Sequence, residues 1–289
     1  MDKACSKKYG VCAGMIGFFL SAAFCLVGGC ASYGLPRAGE KVYRDVLFAK
    51  PNGHALAMDL YVPKTAKPAP VVVWIFGGSW KLGSRSFHVN LRNLTRHGIA
   101  VASIQYRLSE TAKYPAQLED CRAAVDFLRR NGNHYGIDSS QIGVSGESAG
   151  GHLAALVGMF EGKSRIRGVC ALYPPTDLIA LTRLYNQKYQ PTDMERLLGG
   201  PLKEKMALAA EASPINHVSS STPPFLIIHG AEDELVPLAQ SEELARRLRD
   251  AGVPVRLNVV PDKGHWFFLN KTQVAEVADF FQKLFTKTQ

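Results

Sequence analysis

Two runs near the start of the chain, "KVYRDVLFA" (41–49) and "HALAMDLYV" (54–62), alternate apolar and polar residues around "KPNG". Period-two alternation about a turn predicts a β-hairpin. After it the pattern changes. "VVVWIF" (71–76) and "GIAVASIQY" (98–106) are continuous apolar runs, the mark of strands buried on both faces. A segment of helical composition around Leu91 and Leu94 lies between them. Leu118, Cys121, Val125 and Leu128 recur at spacings of three and four, which predicts an amphipathic helix. "QIGVSG" (141–146) reads as a strand and "SAGGHLAALVGMF" (148–160) as a helix. "IRGVCALY", "PFLIIHG" and "VRLNVV" read as three further strands. "LAQSEELARRLRDAG" is a helix between the last two, stopped by Gly252, and "VAEVADFFQKLF" is a final amphipathic helix.

Strand and helix therefore alternate from about residue 71 onward. That order predicts an α/β domain with a mostly parallel central sheet and helices on both faces. In such sheets ligands bind beyond the carboxyl ends of the strands, so functional residues should follow strands directly. Residues 178–215 interrupt the alternation with no clear strand and are a candidate lid over that end.

The first thirty residues are different in kind. Lys3, Lys7 and Lys8 precede an uncharged apolar run that ends in "LVGGC". A basic start, an apolar stretch and small residues describe an export signal, here residues 1–29. The ending resembles a bacterial lipobox, in which Cys30 would be lipidated and become the mature N-terminus. Ala31 rather than Asp follows it, which in lipoproteins favours outer-membrane sorting. Ordinary cleavage near Ala31 and an uncleaved anchor are the alternatives. Residues 30–39 then form a linker, and 40–289 a single catalytic-size domain placed in the cell envelope.

The 289 residues are 46% hydrophobic and 20% charged, an ordinary globular composition without repeats. The net charge of +9 becomes +7 once residues 1–29 are gone, because three lysines and Asp2 leave with them. The charges are dispersed, so nucleic acid is not indicated as a partner. Cys5, Cys12 and Cys25 lie in the signal, while Cys121 and Cys170 have apolar neighbours and read as buried free thiols. No metal-ligand spacing is present, and neither metal nor cofactor is expected.

Candidate chemistry centres on "SGESAGGH" (145–152). Gly-x-Ser-x-Gly alone is a weak signal, but here it follows a strand and opens a helix, the context of a nucleophile elbow. Ser148 is the candidate nucleophile. A serine hydroxyl needs a base, and the base needs an orienting carboxylate. Of the eight histidines, His265 in "VVPDKGHWFF" follows the final strand and precedes the final helix. His152 lies one helical turn beyond Ser148 and reads as a packing or capping residue. His229 ends a strand beside Gly230 and reads as structural; His54, His88, His97, His134 and His217 lie in loops or polar segments. Asp233 in "IIHGAEDELVP" is the first candidate acid, with Glu232, Glu234 and Asp262 as rivals. Ser148, Asp233, His265 is the chain order serine, acid, histidine. For an oxyanion, "WIFGGSW" (74–80) and the helix start offer the amides of Gly77, Gly78 and Ala149.

Together these stretches resemble the α/β-hydrolase superfamily, in particular the hormone-sensitive-lipase-like carboxylesterases and their feruloyl and acetyl-xylan esterase relatives. "FGGSW", "QYRLSE", "YPAQLEDCRAAVDFLRRN", "YGIDSSQIGVSGESAGGHLAAL", "YPPTDL", "ASPINHVS" and "PPFLIIHGAEDELVP" follow that group in order, and "GHWFF" stands for its Gly-His-x-Phe. The resemblance covers roughly residues 40–289. It implies Ser148 as nucleophile, Asp233 as acid and His265 as base, with the Gly77, Gly78 and Ala149 amides as oxyanion hole. One departure is Phe76, where the family often has His before the two glycines. The glycine–tryptophan ending of "FGGSW" is also similar to kynurenine formamidases.

The resulting expectation is a serine hydrolase of small-molecule carboxylic esters, acting through an acyl-enzyme and attached to membrane through its N-terminal lipid. Trp80, Tyr173, Trp266 and Phe267 are candidate pocket residues favouring small or aromatic acyl groups. Glu147 and Asp177 are candidates to line or brace the site, or to serve as surface or capping residues. An amidase of the kynurenine-formamidase or short-peptide peptidase type is the first alternative. A catalytically inactive hydrolase fold used for binding is the second, against which an intact Ser, Asp and His argue.

Overall fold

The computed structural model describes residues 37–86, 90–185 and 192–286, and residues 36–289 form one compact unit. The expected export signal and Cys30 lie outside the described residues. No helix among the described residues is long and apolar enough to cross a membrane.

The opening hairpin is β1 (Glu40–Ala49) and β2 (Leu56–Pro63), paired antiparallel. β2 also runs antiparallel to β4 (Ala100–Ile104). β4 begins the parallel part, followed by β3 (Ala69–Ile75), β5 (Ile137–Glu147), β6 (Val169–Leu172), β7 (Phe225–Gly230) and β8 (Val255–Val260). The eight strands lie in the order β1-β2-β4-β3-β5-β6-β7-β8.

The continuous apolar runs are explained by the two faces of this sheet. Along β3, Val71, Val73 and Ile75 enter one core while Val72 and Trp74 enter the other. β7 repeats this, with Phe225 and Ile227 on the first face and Leu226 and Ile228 on the second. Successive side chains of a strand point to opposite faces, so burial on both removes the polar half of the alternation. Helices α1 (Ala116–Asn131), α2 (Ala149–Glu161) and α6 (Ala239–Asp250) supply the first face through residues such as Leu118, Leu153 and Leu244. On the second face lie α7 (Lys271–Phe285), through Val277 and Phe281, and the segment Asn90–His97, through Leu91 and Leu94.

Several bounds differ from the periodicity. Asn90–His97 is a 3-10 helix rather than an α-helix. β4 and β6 are shorter than their apolar runs, and β5 reaches back to Ile137. α7 starts at Lys271 because Asn270 and Gln273 close a reciprocal capping box ahead of its apolar stripe. Between β6 and β7 the chain forms α3 (Leu178–Tyr185), α4 (Asp193–Leu198) and α5 (Met206–Glu211). Leu178, Leu181, Leu197 and Leu198 of these helices join the first core, so the described part of 178–215 is packed onto the domain. Cys121 and Cys170 are buried free thiols, and burial pushes the Cys170 thiol up to about 12.

Candidate active site

β3, β5, β6, β7 and β8 all run the same way, so their carboxyl ends open onto one side of the domain. Ser148 stands where β5 ends and α2 begins, at φ 52° and ψ −121°. That conformation is strained for a residue with a side chain, and it persists only where neighbours over-determine it. Gly146 and Gly150 are those neighbours. A Cβ on Gly146 would come 2.3 Å from the Gly150 carbonyl oxygen, and one on Gly150 would come 2.1 Å from that of Ile75. Only glycine lets β3, β5 and α2 approach this closely. The Ser148 amide donates to Leu172 O at 2.9 Å, and Ser148 O accepts from the His152 amide at 2.9 Å.

His265 and Asp233 reach this serine from loops distant in sequence. His265 Nε2 lies 2.8 Å from Ser148 Oγ, and His265 Nδ1 lies 2.7 Å from Asp233 Oδ2. Asp233 Oδ1 accepts from the Leu235 and Val236 amides at 3.0 and 2.8 Å. The buried imidazole of His229 adds a contact, with Nε2 3.1 Å from Asp233 Oδ2. Burial by itself would raise the Asp233 carboxyl. The hydrogen bonds from His229, His265 and the Val236 amide overcome that and hold it down at about 2. The carboxylate is therefore ionised at neutral pH and oriented on all sides. Its rivals Glu232, Glu234 and Asp262 are exposed.

The two loops are also tied to each other. Ala231 N donates to Val260 O at 2.9 Å and Glu232 N to Lys263 O at 2.8 Å. His229 is bound through Nδ1 to Ser241 Oγ at 2.6 Å and through Nε2 to Val236 O at 2.8 Å. Its contact with Asp233 was not anticipated from the sequence, although the spacing of four residues was available as a signal.

The Gly77–Gly78 loop lies beside the elbow: a Cβ on Gly77 would sit 3.3 Å from the Ser148 Cβ. Next to it Gly78, Ser79 and Trp80 all have positive φ, at 107°, 53° and 58°. Lys81 N and Leu82 N both return to Gly78 O, closing a left-handed turn. Each non-glycine residue held this way costs on the order of 1–3 kcal/mol. Phe76, at the position where a histidine was the family's usual residue, stacks on Tyr106 at 4.4 Å, and Tyr106 Oη donates to Phe76 O at 3.1 Å. Ser109 N donates to Trp80 O at 2.8 Å. Ala149, the third oxyanion candidate, is the first residue of α2, where amides have no acceptor within the helix.

The four candidate pocket residues fall into two groups. Trp80 and Tyr173 are each only 2% exposed. The Trp80 indole donates to His152 Nδ1 at 3.1 Å, and Tyr173 Oη donates to Glu147 Oε2 at 3.1 Å. The Tyr173 ring lies 4.8 Å from the His265 imidazole and 5.2 Å from Phe267. Phe267 packs half-buried on the second core, whereas Trp266 is 68% exposed with its ring 5.1 Å from that of His265. Asp177 caps α3 through the Ala180 amide at 2.9 Å. Among the described residues no group of His, Cys, Asp or Glu is arranged to hold a metal ion.

Residues 58–248 match the family model BD-FAE, which covers well over half of the chain. The chain belongs to the BD-FAE family. Among curated relatives, Esterase LipC of Mycobacterium tuberculosis is 32% identical over 219 residues, 70% of this chain and 54% of its own. The chain spans about half the length of the curated relatives it matches. A truncated carbohydrate esterase from gut microbiota superposes with a TM-score of 0.77 at 29% identity, covering 86% of this chain and 97% of that one. An acetyl ester-xyloside bifunctional hydrolase from Caldicellulosiruptor lactoaceticus superposes with a TM-score of 0.70 at 26% identity, over 86% and 97% of the two chains. The BD-FAE chain thus has the α/β-hydrolase fold of a carboxylesterase family.

Proposed function

We propose that this protein is a serine carboxylesterase acting on small-molecule esters. The observation that carries the reading is the unbroken hydrogen-bonded chain from Ser148 Oγ through His265 to Asp233 at a strained elbow. Relatives and neighbours named as esterases support it. Ser148 Oγ attacks the acyl carbonyl while His265 Nε2 takes its proton. Asp233 holds the Nδ1–H and stabilises the imidazolium. The amides of Gly77, Gly78 and Ala149 receive the oxyanion. His265 then returns the proton to the leaving alcohol, and the acyl-enzyme is hydrolysed by water that the same histidine activates. Trp266, exposed beside His265, offers an aromatic face to the substrate, and small or aromatic acyl groups suit it. The described parts of 178–215 serve as a cap over the carboxyl ends of the strands. The enzyme works in the cell envelope, exported by residues 1–29 and anchored through lipid on Cys30.

The test is hydrolysis of p-nitrophenyl acetate, butyrate and octanoate by the full chain in mild detergent, beside Ser148→Ala. Turnover strongest on the short esters and lost in the variant is the expected result. A folded protein inactive on all three esters would reject the reading and turn attention to formamides and aminoacyl amides. Incorporation of radiolabelled palmitate, lost in Cys30→Ala, tests the anchor.

A further inference from the structure

Trp80 ends a left-handed turn that holds two non-glycine residues, and such a turn needs an outside anchor. Its carbonyl is held by Ser109, and its indole by His152. His152 is itself anchored twice more. Its amide donates to Ser148 O, and its Nε2 lies 2.7 Å from Ala212 O, just past the end of α5. One ring therefore joins the glycine loop, the nucleophile helix and the segment after β6. The network also fixes the tautomer. An indole N–H only donates and a carbonyl only accepts, so Nδ1 must be the bare nitrogen and Nε2 the protonated one.

We infer that His152 is a positioning residue whose Nδ1 anchors Trp80 and thereby holds the Gly77–Gly78 amides in register with Ser148. The inference rests on the carboxylesterase reading, since it assigns those amides to the oxyanion. A donor displaced from an oxyanion loses its stabilisation in the transition state while substrate binding is little changed, so the effect belongs in kcat. The two ring nitrogens can be separated. Asparagine places its Oδ1 near the Nδ1 position and can accept from Trp80, but it does not reach Ala212. Glutamine places its Nε2 near the imidazole Nε2 and can donate to Ala212, but it presents no acceptor to Trp80.

The experiment compares kcat and KM of the full chain on p-nitrophenyl butyrate for His152→Asn, His152→Gln and His152→Leu, with indole N–H exchange followed by NMR. The three tryptophans give three indole signals, and Trp80→Phe identifies the one of interest. His152→Leu and His152→Gln should lose about tenfold or more in kcat, with KM within about threefold. His152→Asn should recover most of that loss and keep the Trp80 indole protected. Equal kcat in the Asn and Gln variants, or wild-type kcat in the Leu variant, overturns the inference. If His152→Leu does not fold, Trp80→Phe removes the donor from the other side, and wild-type kcat there overturns it equally. If the wild type hydrolyses no ester, the carboxylesterase reading has failed, and indole exchange alone decides the anchor. Protection kept in Asn and lost in Gln supports it, whereas protection unchanged in all three variants overturns it.

Discussion

Ser148 is held by backbones in contact, whereas Asp233 and His265 are held by hydrogen bonds between loops. At the elbow, the spaces where Gly146 and Gly150 would carry a Cβ are already filled by carbonyl oxygens of Gly150 and Ile75. Nothing there can give without separating β3 from α2. On the other side, Asp233 is fixed by two amides and two imidazoles, and its loop is tied to the one carrying His265. Such a network can lose one bond and keep its shape. One half of the site is thus made rigid by exclusion, and the other is oriented by attraction.

The largest effect should come from the atom both halves serve. Ser148→Ala is expected to lower kcat by about 10⁴-fold or more with the melting temperature unchanged, measured on p-nitrophenyl esters and by calorimetry. Asp233→Asn should cost on the order of 10³–10⁴-fold in kcat, because the imidazole then loses its fixed tautomer. Glu232→Gln, at an exposed neighbour, should leave kcat within about twofold. A large loss there would break the assignment of the acid.

Next come changes that separate the two kinds of support. Gly150→Ala should cost about 3 kcal/mol or more of stability, because overpacking against backbone has no cheap relief. Gly264→Ala lies in the His265 loop, where the nearest atom to a new Cβ is the Glu232 carbonyl oxygen at 3.4 Å. It should cost about 1 kcal/mol or less by urea denaturation. Similar values for the two would remove the contrast.

Acid should loosen the elbow side before the Asp233 side. Burial pushes His152 from its ordinary 6.5 down to about 4, and the bond to Ala212 O offsets that only in part. The unfolded chain then binds a proton that the folded protein refuses, so stability falls as pH drops from 6.5 to 4. The loss attributable to this one ring is about 3 kcal/mol across the window. Asp233, held at about 2 against an ordinary 3.8, contributes stability that survives until pH falls below 3.8. Urea midpoints from pH 7 to pH 4 should therefore fall less steeply in His152→Asn than in the wild type. Tyr173→Phe, which removes one hydrogen bond to Glu147, should likewise cost only about 1 kcal/mol in stability.

Much of this is legible in the sequence alone. The alternation in 41–49 and 54–62, and the unbroken apolar runs at 71–76 and 225–228, determined an antiparallel edge joined to a doubly covered parallel sheet, because period and burial follow from strand geometry alone. Gly-x-Ser-x-Gly between a strand and a helix likewise singled out Ser148, since its constraint is local and written within five residues. Asp233 stood above Glu232, Glu234 and Asp262 only by its place after the strand that precedes the last and by the family resemblance, since all four satisfy the same order along the chain. The tertiary structure decided which of these carboxylates turns inward. It also decided that His229 touches Asp233, that Tyr106 takes up Phe76, and that His152 bonds Trp80 on one side and Ala212 on the other. The Trp80–His152 pair is 72 positions apart in sequence, and Ser148 and His265 are 117 apart. Local propensity and periodicity carry no information over that distance. Only closure of the sheet brings such groups within a hydrogen bond's reach.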